Sequence, residues 1–335
     1  MELPILWFIL IGVLFTGFFI LEGFDFGVGI LMPLLGRTDA ERRTILRSIG
    51  PVWDGNEVWL LTAGGGIFAT FPRWYATMFS SLYLPLVLVL VGLILRGLAL
   101  EYRNKLESPH WRAHWDKAVF LGSLLPALLF GVAMTDLLYG LPIDAQGNFQ
   151  GNFLDLIRPF PLLGGLASLT MFLWIGSLFL RLKLQDDLCV RAESACAKLG
   201  WLALACLVLL GLVGFGSVSL LVTSPWAVKG IAVFAALDLF LSILFRRRPG
   251  IAFLFTGLSI GMTSAAFFAA LFPHTVVSSL QADWSLTIWN ASSSPYTLKV
   301  MTGVAAIFVP VVLIYQAWSY WVFRKRIRVE GKSDY

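Results

Sequence analysis

Eight ionisable side chains lie in or at the edge of long apolar runs of this sequence: Glu22, Asp25, Asp54, Glu57, Arg96, Glu101, Asp136 and Asp238. Within a bilayer each costs about 2.5–3.5 kcal/mol on insertion scales, so each needs a partner or a purpose. Glu22 and Asp25 are spaced i, i+3 and face the same way on a helix, as do Asp54 and Glu57. Beside Arg96, the five acids Glu22, Asp25, Asp54, Glu57 and Glu101 form an excess of carboxylate that pairing cannot exhaust. Chains of carboxylates at membrane depth are the material of proton relays. A structural reading stands beside this one. Asp54 and Glu57 follow Pro51 at a helix start, where proline and acids suit the free amides and the dipole, and Glu101 is close enough to water to be a solvated rim residue.

The elements that must position these groups are membrane spans. Of 335 residues, 58% are hydrophobic and 13% charged, about half the charge of a soluble domain. That excludes a water-soluble enzyme and excludes disorder. The net charge of +5 is spread along the chain rather than gathered on one face, so no nucleic-acid partner is implied. Runs of the roughly 20 residues needed to cross a bilayer occur near residues 4–34, 51–71, 74–97, 118–138, 161–180, 200–222, 229–245, 250–272 and 300–323. Lipid offers the backbone no hydrogen bonds, so each reads as a helix. The expectation is an all-α integral membrane protein, one polytopic domain over 1–335 with nine spans. MELPILWFILIG carries no basic segment or cleavage site, so it reads as a retained first span.

Lysine and arginine set the expected orientation. Twenty fall in one set of alternate connections and four in the other, with Arg96 left over, which places the N-terminus outside and the C-terminus in the cytoplasm. At 1.5 Å per residue Asp25 then lies roughly 30 Å into the first span. Asp54 and Glu57 fall in the first turns of the second span, and Arg96 in the last turn of the third. All six charged groups of these helices are thus expected in one layer on the cytoplasmic side, brought together by short connections.

Metal chemistry finds little support. Cys189, Cys196 and Cys206 form no CxxC pattern, and read as packing residues. His110 and His114 lie in a cytoplasmic loop and His274 at the outer end of a span, so no histidine stands within a helix as an axial haem ligand. This chain is expected to hold no metal itself. The glycines Gly23, Gly27 and Gly64–Gly66 read as sites of close helix contact. A proton-coupled secondary transporter is the alternative class, since it too places acids and glycines in helices. Its site would belong near the midplane between inverted repeats, whereas these acids crowd one side.

Four segments carry a specific likeness: LEGFDFGVGIL, GRTDAERRTILRSIGPVWDGNEVWLLTAGGGIFATFP, LILRGLALEYRNKL and SLTIWNASSSPYTLKVMT. Over nearly the whole chain the sequence resembles subunit II of the cytochrome bd-type quinol oxidases. The resemblance implies nine transmembrane helices arranged as two four-helix bundles, about 1–140 and about 160–275, plus a peripheral ninth helix at about 300–323. It implies a larger partner, subunit I, holding two b-type haems and one d-type haem. The complex oxidises quinol and reduces O2 to water, generating a proton motive force in a bacterial or archaeal cytoplasmic membrane. Subunit II stabilises the haem arrangement, and some members hold a structural quinone or an oxygen channel; a small single-helix subunit is a further candidate partner. Residue by residue, Asp54 of WDGN and Glu101 would belong to the cytoplasmic proton path, with Glu57 beside them. Asp25 of GFD would serve haem assembly or its surroundings, and Trp59 corresponds to a tryptophan near the oxygen channel. Asp25 and Arg96, with Glu22, are expected to form an intramembrane electrostatic pair or near-pair. Asp238 matches no feature of the family.

Overall fold

Residues 2–329 are described by a computed structural model; the tail lysine Lys332, part of the charge asymmetry, lies outside them. The apolar runs fold as helices: α1 (Leu3–Leu35), α2 (Asp39–Ile49), α3 (Trp53–Thr70), α4 (Pro72–Ser81), α5 (Tyr83–Tyr102), α6 (Pro109–Tyr139), α7 (Pro159–Lys183), α8 (Asp186–Ser217), α9 (Ser219–Val222), α10 (Trp226–Leu244), α11 (Pro249–Leu271) and α12 (Pro295–Val322). A two-stranded antiparallel ribbon, β1 (His274–Val276) with β2 (Leu286–Thr287), closes the side on which α1 begins. Eight helices, α1, α5, α6, α7, α8, α10, α11 and α12, are long and apolar enough to cross a membrane. Helix α3 is not among them, because Asp54, Asn56 and Glu57 crowd its first turns.

The expected third span, 74–97, is corrected. It is two helices, interrupted at Leu82, where the backbone leaves helical geometry. Pro85 has no N–H to give to the Ser81 carbonyl, so the ladder breaks there. Helix α5 therefore runs to Tyr102, and Arg96 lies about 9 Å before its end rather than in its last turn. Residues 36–49, read as a basic connection, contain helix α2. Its start is a capping box in which the Thr38 hydroxyl accepts from the Glu41 amide and the Glu41 carboxylate accepts from the Thr38 amide, a pattern legible in TDAE. Helix α8 begins at Asp186, well before the expected span at 200–222.

Helix α1 is the hub, packing against α3, α6, α7 and α11. Around it α5 lies on α6, α6 on α7, α7 on α8, and α10 on both α8 and α11, whereas α12 touches mainly α3 and α1. Glycine permits the closest crossing. A Cβ on Gly27 would stand 2.0 Å from the Phe172 carbonyl oxygen, and one on Gly176 would stand 2.7 Å from the Gly27 backbone. With no hydrophobic drive between helices in lipid, such contact supplies the dispersion energy of association. Gly23 likewise packs on Phe172, whereas Gly64 and Gly65 face open space within this chain.

On the side where α1 ends, α2 is held by ion pairs. Arg103, 1% exposed, donates through Nε to Asp116 at 2.5 Å and through Nη2 to Asp39 at 2.9 Å. Arg112 reaches Asp39 at 2.8 Å, Arg42 reaches Asp116 at 2.9 Å and Arg191 reaches Glu41 at 2.5 Å. The Arg191 hydrogen bond holds the Glu41 carboxyl below the usual glutamate range.

Candidate proton-transfer site

Helices α1, α3, α5 and α6 meet at Arg96. Gly122 of α6 fits against the α5 backbone, where a Cβ would stand 2.5 Å from the Gly92 carbonyl and 3.0 Å from the Arg96 amide. The guanidinium is turned inward, fully buried, with its Cζ 4.8 Å from the centre of the Phe26 ring. Its Nη2 pairs with Glu22 of α1, also fully buried, and with Glu57 of α3 at 3.1 Å. Two acids around one arginine bind α1, α3 and α5 at one level, and the charge of three nearby acids exceeds what that arginine can neutralise.

Asp25, one turn beyond Glu22, lies within electrostatic reach of Arg96 but takes its hydrogen bond from another residue. Its Oδ2 accepts from Asn56 Nδ2 at 2.8 Å, so the arginine pairs with Glu22 and Glu57 and not directly with Asp25. Asn56, fully buried on α3, faces α1 and reaches Asp25 and the Leu21 carbonyl, the latter at 3.3 Å. Asn56 Oδ1 in turn accepts from Tyr320 Oη at 2.7 Å and Gln316 Nε2 at 3.1 Å, both on α12. Gln316 Oε1 accepts from Trp59 Nε1 at 2.7 Å, and the Trp59 ring covers Gly17. This polar clamp, Asp25–Asn56–Gln316/Tyr320, fixes the peripheral helix to the hub.

Asp54 and Glu101 are both exposed and have no hydrogen bond or ion pair among the described residues, but Asp54 is within electrostatic reach of Glu101 and Arg96. All six charged residues therefore gather toward the side where α1 ends, in two tiers: an exposed pair, and a buried group around Arg96. Asp136 lies elsewhere, buried near the start side of α1 with Arg158 as its nearest cation. Asp238 is half-buried on α10 with no partner among the described residues.

The donor set does not suit haem. His114 Nδ1 lies 2.7 Å from the His110 carbonyl at an exposed helix end, His274 is in β1, and no cluster of three or more His, Cys, Asp or Glu side chains that could hold a metal occurs among the described residues. An apolar cleft of about 670 Å³, open to the outside of the chain, lies between α6, α7, α8, α10 and α11, lined by Phe130, Met134, Phe160, Phe172, Phe215 and Phe267 among others. Phenylalanine rings and a methionine suit a flat ring or a prenyl chain rather than a charged ligand.

Asn56, Gln316 and Tyr320 were not singled out by the sequence reading. The available signal was Gln316, the single amide in the apolar run 300–323, since a polar residue in a span marks an interhelical hydrogen bond.

The sequence profile of cytochrome bd terminal oxidase subunit II matches residues 3–323. Cytochrome bd ubiquinol oxidase subunit 2 of Bacillus subtilis (strain 168) is 42% identical over 98% of each chain. Cytochrome bd-I ubiquinol oxidase subunit 2 of Escherichia coli (strain K12) is 36% identical over 98% of this chain and 96% of its own. In fold, the molecule is similar to a chain in the structure of bd oxidase from Geobacillus thermodenitrificans, with a TM-score of 0.78 at 18% identity, covering 96% of this chain and 97% of that one. Profile and relatives span the same residues that build the Arg96 cluster and its clamp, and the chain belongs to the cytochrome bd terminal oxidase subunit II family.

Proposed function

We propose that this chain is the non-haem subunit of a quinol:O2 oxidoreductase in a bacterial cytoplasmic membrane, where it stabilises a haem-bearing subunit I and carries part of the cytoplasmic proton path. In this reading α3 also crosses the membrane, as the second of nine spans, the N-terminus is outside, and the helices divide into bundles at about 1–140 and about 160–275 with α12 the peripheral ninth. The two b-type haems and one d-type haem reside on subunit I. The complex oxidises quinol, reduces O2 to water and generates a proton motive force.

The observation that carries the proton role is the two-tier acid cluster. Exposed Asp54 and Glu101 collect protons from the aqueous side, and Glu57, whose side chain is 23% exposed, lies between that tier and buried Glu22. Arg96 holds the inner acids together and keeps their charge tolerable, while the Asn56 hydrogen bond orients Asp25. Subunit I docks on the exposed face of α3 and α5: Gly64 and Gly65 are uncovered there, beside exposed Val58, Leu61, Phe68, Leu90 and Ile94. Trp59, held by Gln316, walls an oxygen path between α3 and α12, and the apolar cleft is the seat of a structural quinone. Purification tests the reading: the chain should co-isolate with a haem-rich polypeptide showing a red-shifted haem d band and quinol-dependent O2 uptake. Isolation as a colourless, self-sufficient unit with solute flux would contradict it.

A further inference from the structure

The two halves of the end where α1, α5, α7 and α12 finish treat their cations differently. Around α2, the buried or part-buried arginines Arg42, Arg103, Arg112 and Arg191 are each met by a carboxylate of Asp39, Asp116 or Glu41. Around α7, α10, α11 and α12 the cations meet backbone carbonyls instead. Arg181 donates to the Arg246 carbonyl, Lys183 and Arg324 to the carbonyls of Phe323 and Trp321, and Arg326 to those of Leu182 and Arg181 at 3.2 and 3.3 Å. These bonds tie the end of α7, the α10–α11 turn and the segment after α12 into one surface and leave its charge in place. A carboxylate reaches it as well, Glu193 on Arg181 at 3.3 Å. The side chains of Arg247, Arg248 and Lys325 are exposed and have no hydrogen bond or ion pair among the described residues. Below them lie exposed Leu244, Phe245, Trp318, Trp321 and Phe323, the aromatic and aliphatic belt of a membrane interface.

We propose that this surface, centred on Lys183, Arg247, Arg248, Arg324, Lys325 and Arg326, binds the phosphate-bearing headgroup of an anionic phospholipid in the adjoining leaflet. These cations, without a carboxylate partner among the described residues, supply charge complementarity, carbonyl bonds hold Lys183, Arg324 and Arg326 in place, and the belt below receives the acyl chains. Attraction of an anionic leaflet to basic residues near its surface is additive over several side chains. The site is separate from the acid cluster, so its test does not depend on the proton path.

The complex is purified from membranes and then exchanged into nanodiscs of phosphatidylcholine doped with phosphatidylglycerol, and retained lipid is counted by native mass spectrometry after mild detergent release. The wild type should retain at least one phosphatidylglycerol in preference to phosphatidylcholine. The triple variant Arg247→Gln, Arg248→Gln, Lys325→Gln removes only side chains with no hydrogen bond or ion pair among the described residues, and its retention should fall about tenfold or more. Exposed Lys105 and Lys117, on the α2 half of this end, serve as the control, and Lys105→Gln with Lys117→Gln should leave retention unchanged. Equal retention by wild type and triple variant overturns the proposal, as does an equal loss in the control, which would indicate diffuse attraction. Preference for soluble inorganic phosphate over the lipid, seen as displacement of phosphatidylglycerol by phosphate, overturns it too.

Discussion

Replacing Arg96 with glutamine should expose how the buried cluster is balanced. Arg96 and Glu22 are both fully buried, and Glu57 is 3.1 Å away with part of its side chain exposed. At that distance and an effective dielectric of about 20, one such pair attracts by about 5 kcal/mol, reduced for Glu57 by solvent screening. The larger effect concerns Glu22, which keeps its burial and loses its counter-charge. Removing one partner of a buried pair costs about 3–5 kcal/mol, whereas removing both costs little. Arg96→Gln should therefore lower the stability of the complex by about 3–5 kcal/mol, and Glu22→Gln with Arg96→Gln should recover most of it. A double-mutant cycle, read from denaturant titration of the detergent-purified complex, should return a coupling of about 2 kcal/mol or more. Independent sites add within about 0.5 kcal/mol. Additivity at that level between Glu22→Gln and Arg96→Gln would refute the pairing.

Gly27→Ala should strain the α1–α7 crossing by about 1–3 kcal/mol, as overpacking does, with reduced thermal stability of the chain; Gly64→Ala, facing open space within the chain, should leave the chain's stability alone and lower the yield of complex with its partner. Asn56→Leu leaves Asp25 Oδ2 and the Tyr320 hydroxyl without their bonds, at about 1–3 kcal/mol for each buried polar group left unpaired, so α12 should gain protease sensitivity and faster amide exchange. Burial holds the His274 imidazole below its ordinary 6.5, against the smaller opposing effect of the Leu271 backbone carbonyl as acceptor. The depressed folded pKa means the stabilisation is full above about pH 6.5 and is lost as pH falls toward the folded value. His274→Gln should accordingly flatten the acid limb of the melting temperature measured between about pH 7.5 and 5, and an unchanged limb would exclude the contribution.

Much of this site was legible in the sequence because charge in lipid is conspicuous. Glu22, Asp25 and Arg96 stand out against apolar runs, and counting residues along spans brings them to one layer. The pairing within the layer was not legible. Which acid meets Arg96 depends on where α5 begins, and that rests on Pro85 breaking a run whose composition continues across Leu82. Asn56 was hidden in plain view between Asp54 and Glu57, since an amide at a helix start has a local reading as well as a long-range one. Its partners on α12 are about 260 residues away, beyond any periodicity. The amphipathic α2 is legible in its capping box, but its basic residues match the pattern of a cytoplasmic connection equally well.

The central claim is that acids from α1, α3 and α5 deliver cytoplasmic protons to a reaction on the partner subunit. The most direct test is quinol-dependent O2 uptake and proton uptake by the reconstituted complex carrying Asp54→Asn and Glu101→Gln, with assembly verified by an unchanged visible spectrum. Turnover should fall at least tenfold, in keeping with the size of effects seen on removing a proton-transfer group. Wild-type turnover and wild-type proton uptake in a fully assembled variant would contradict it.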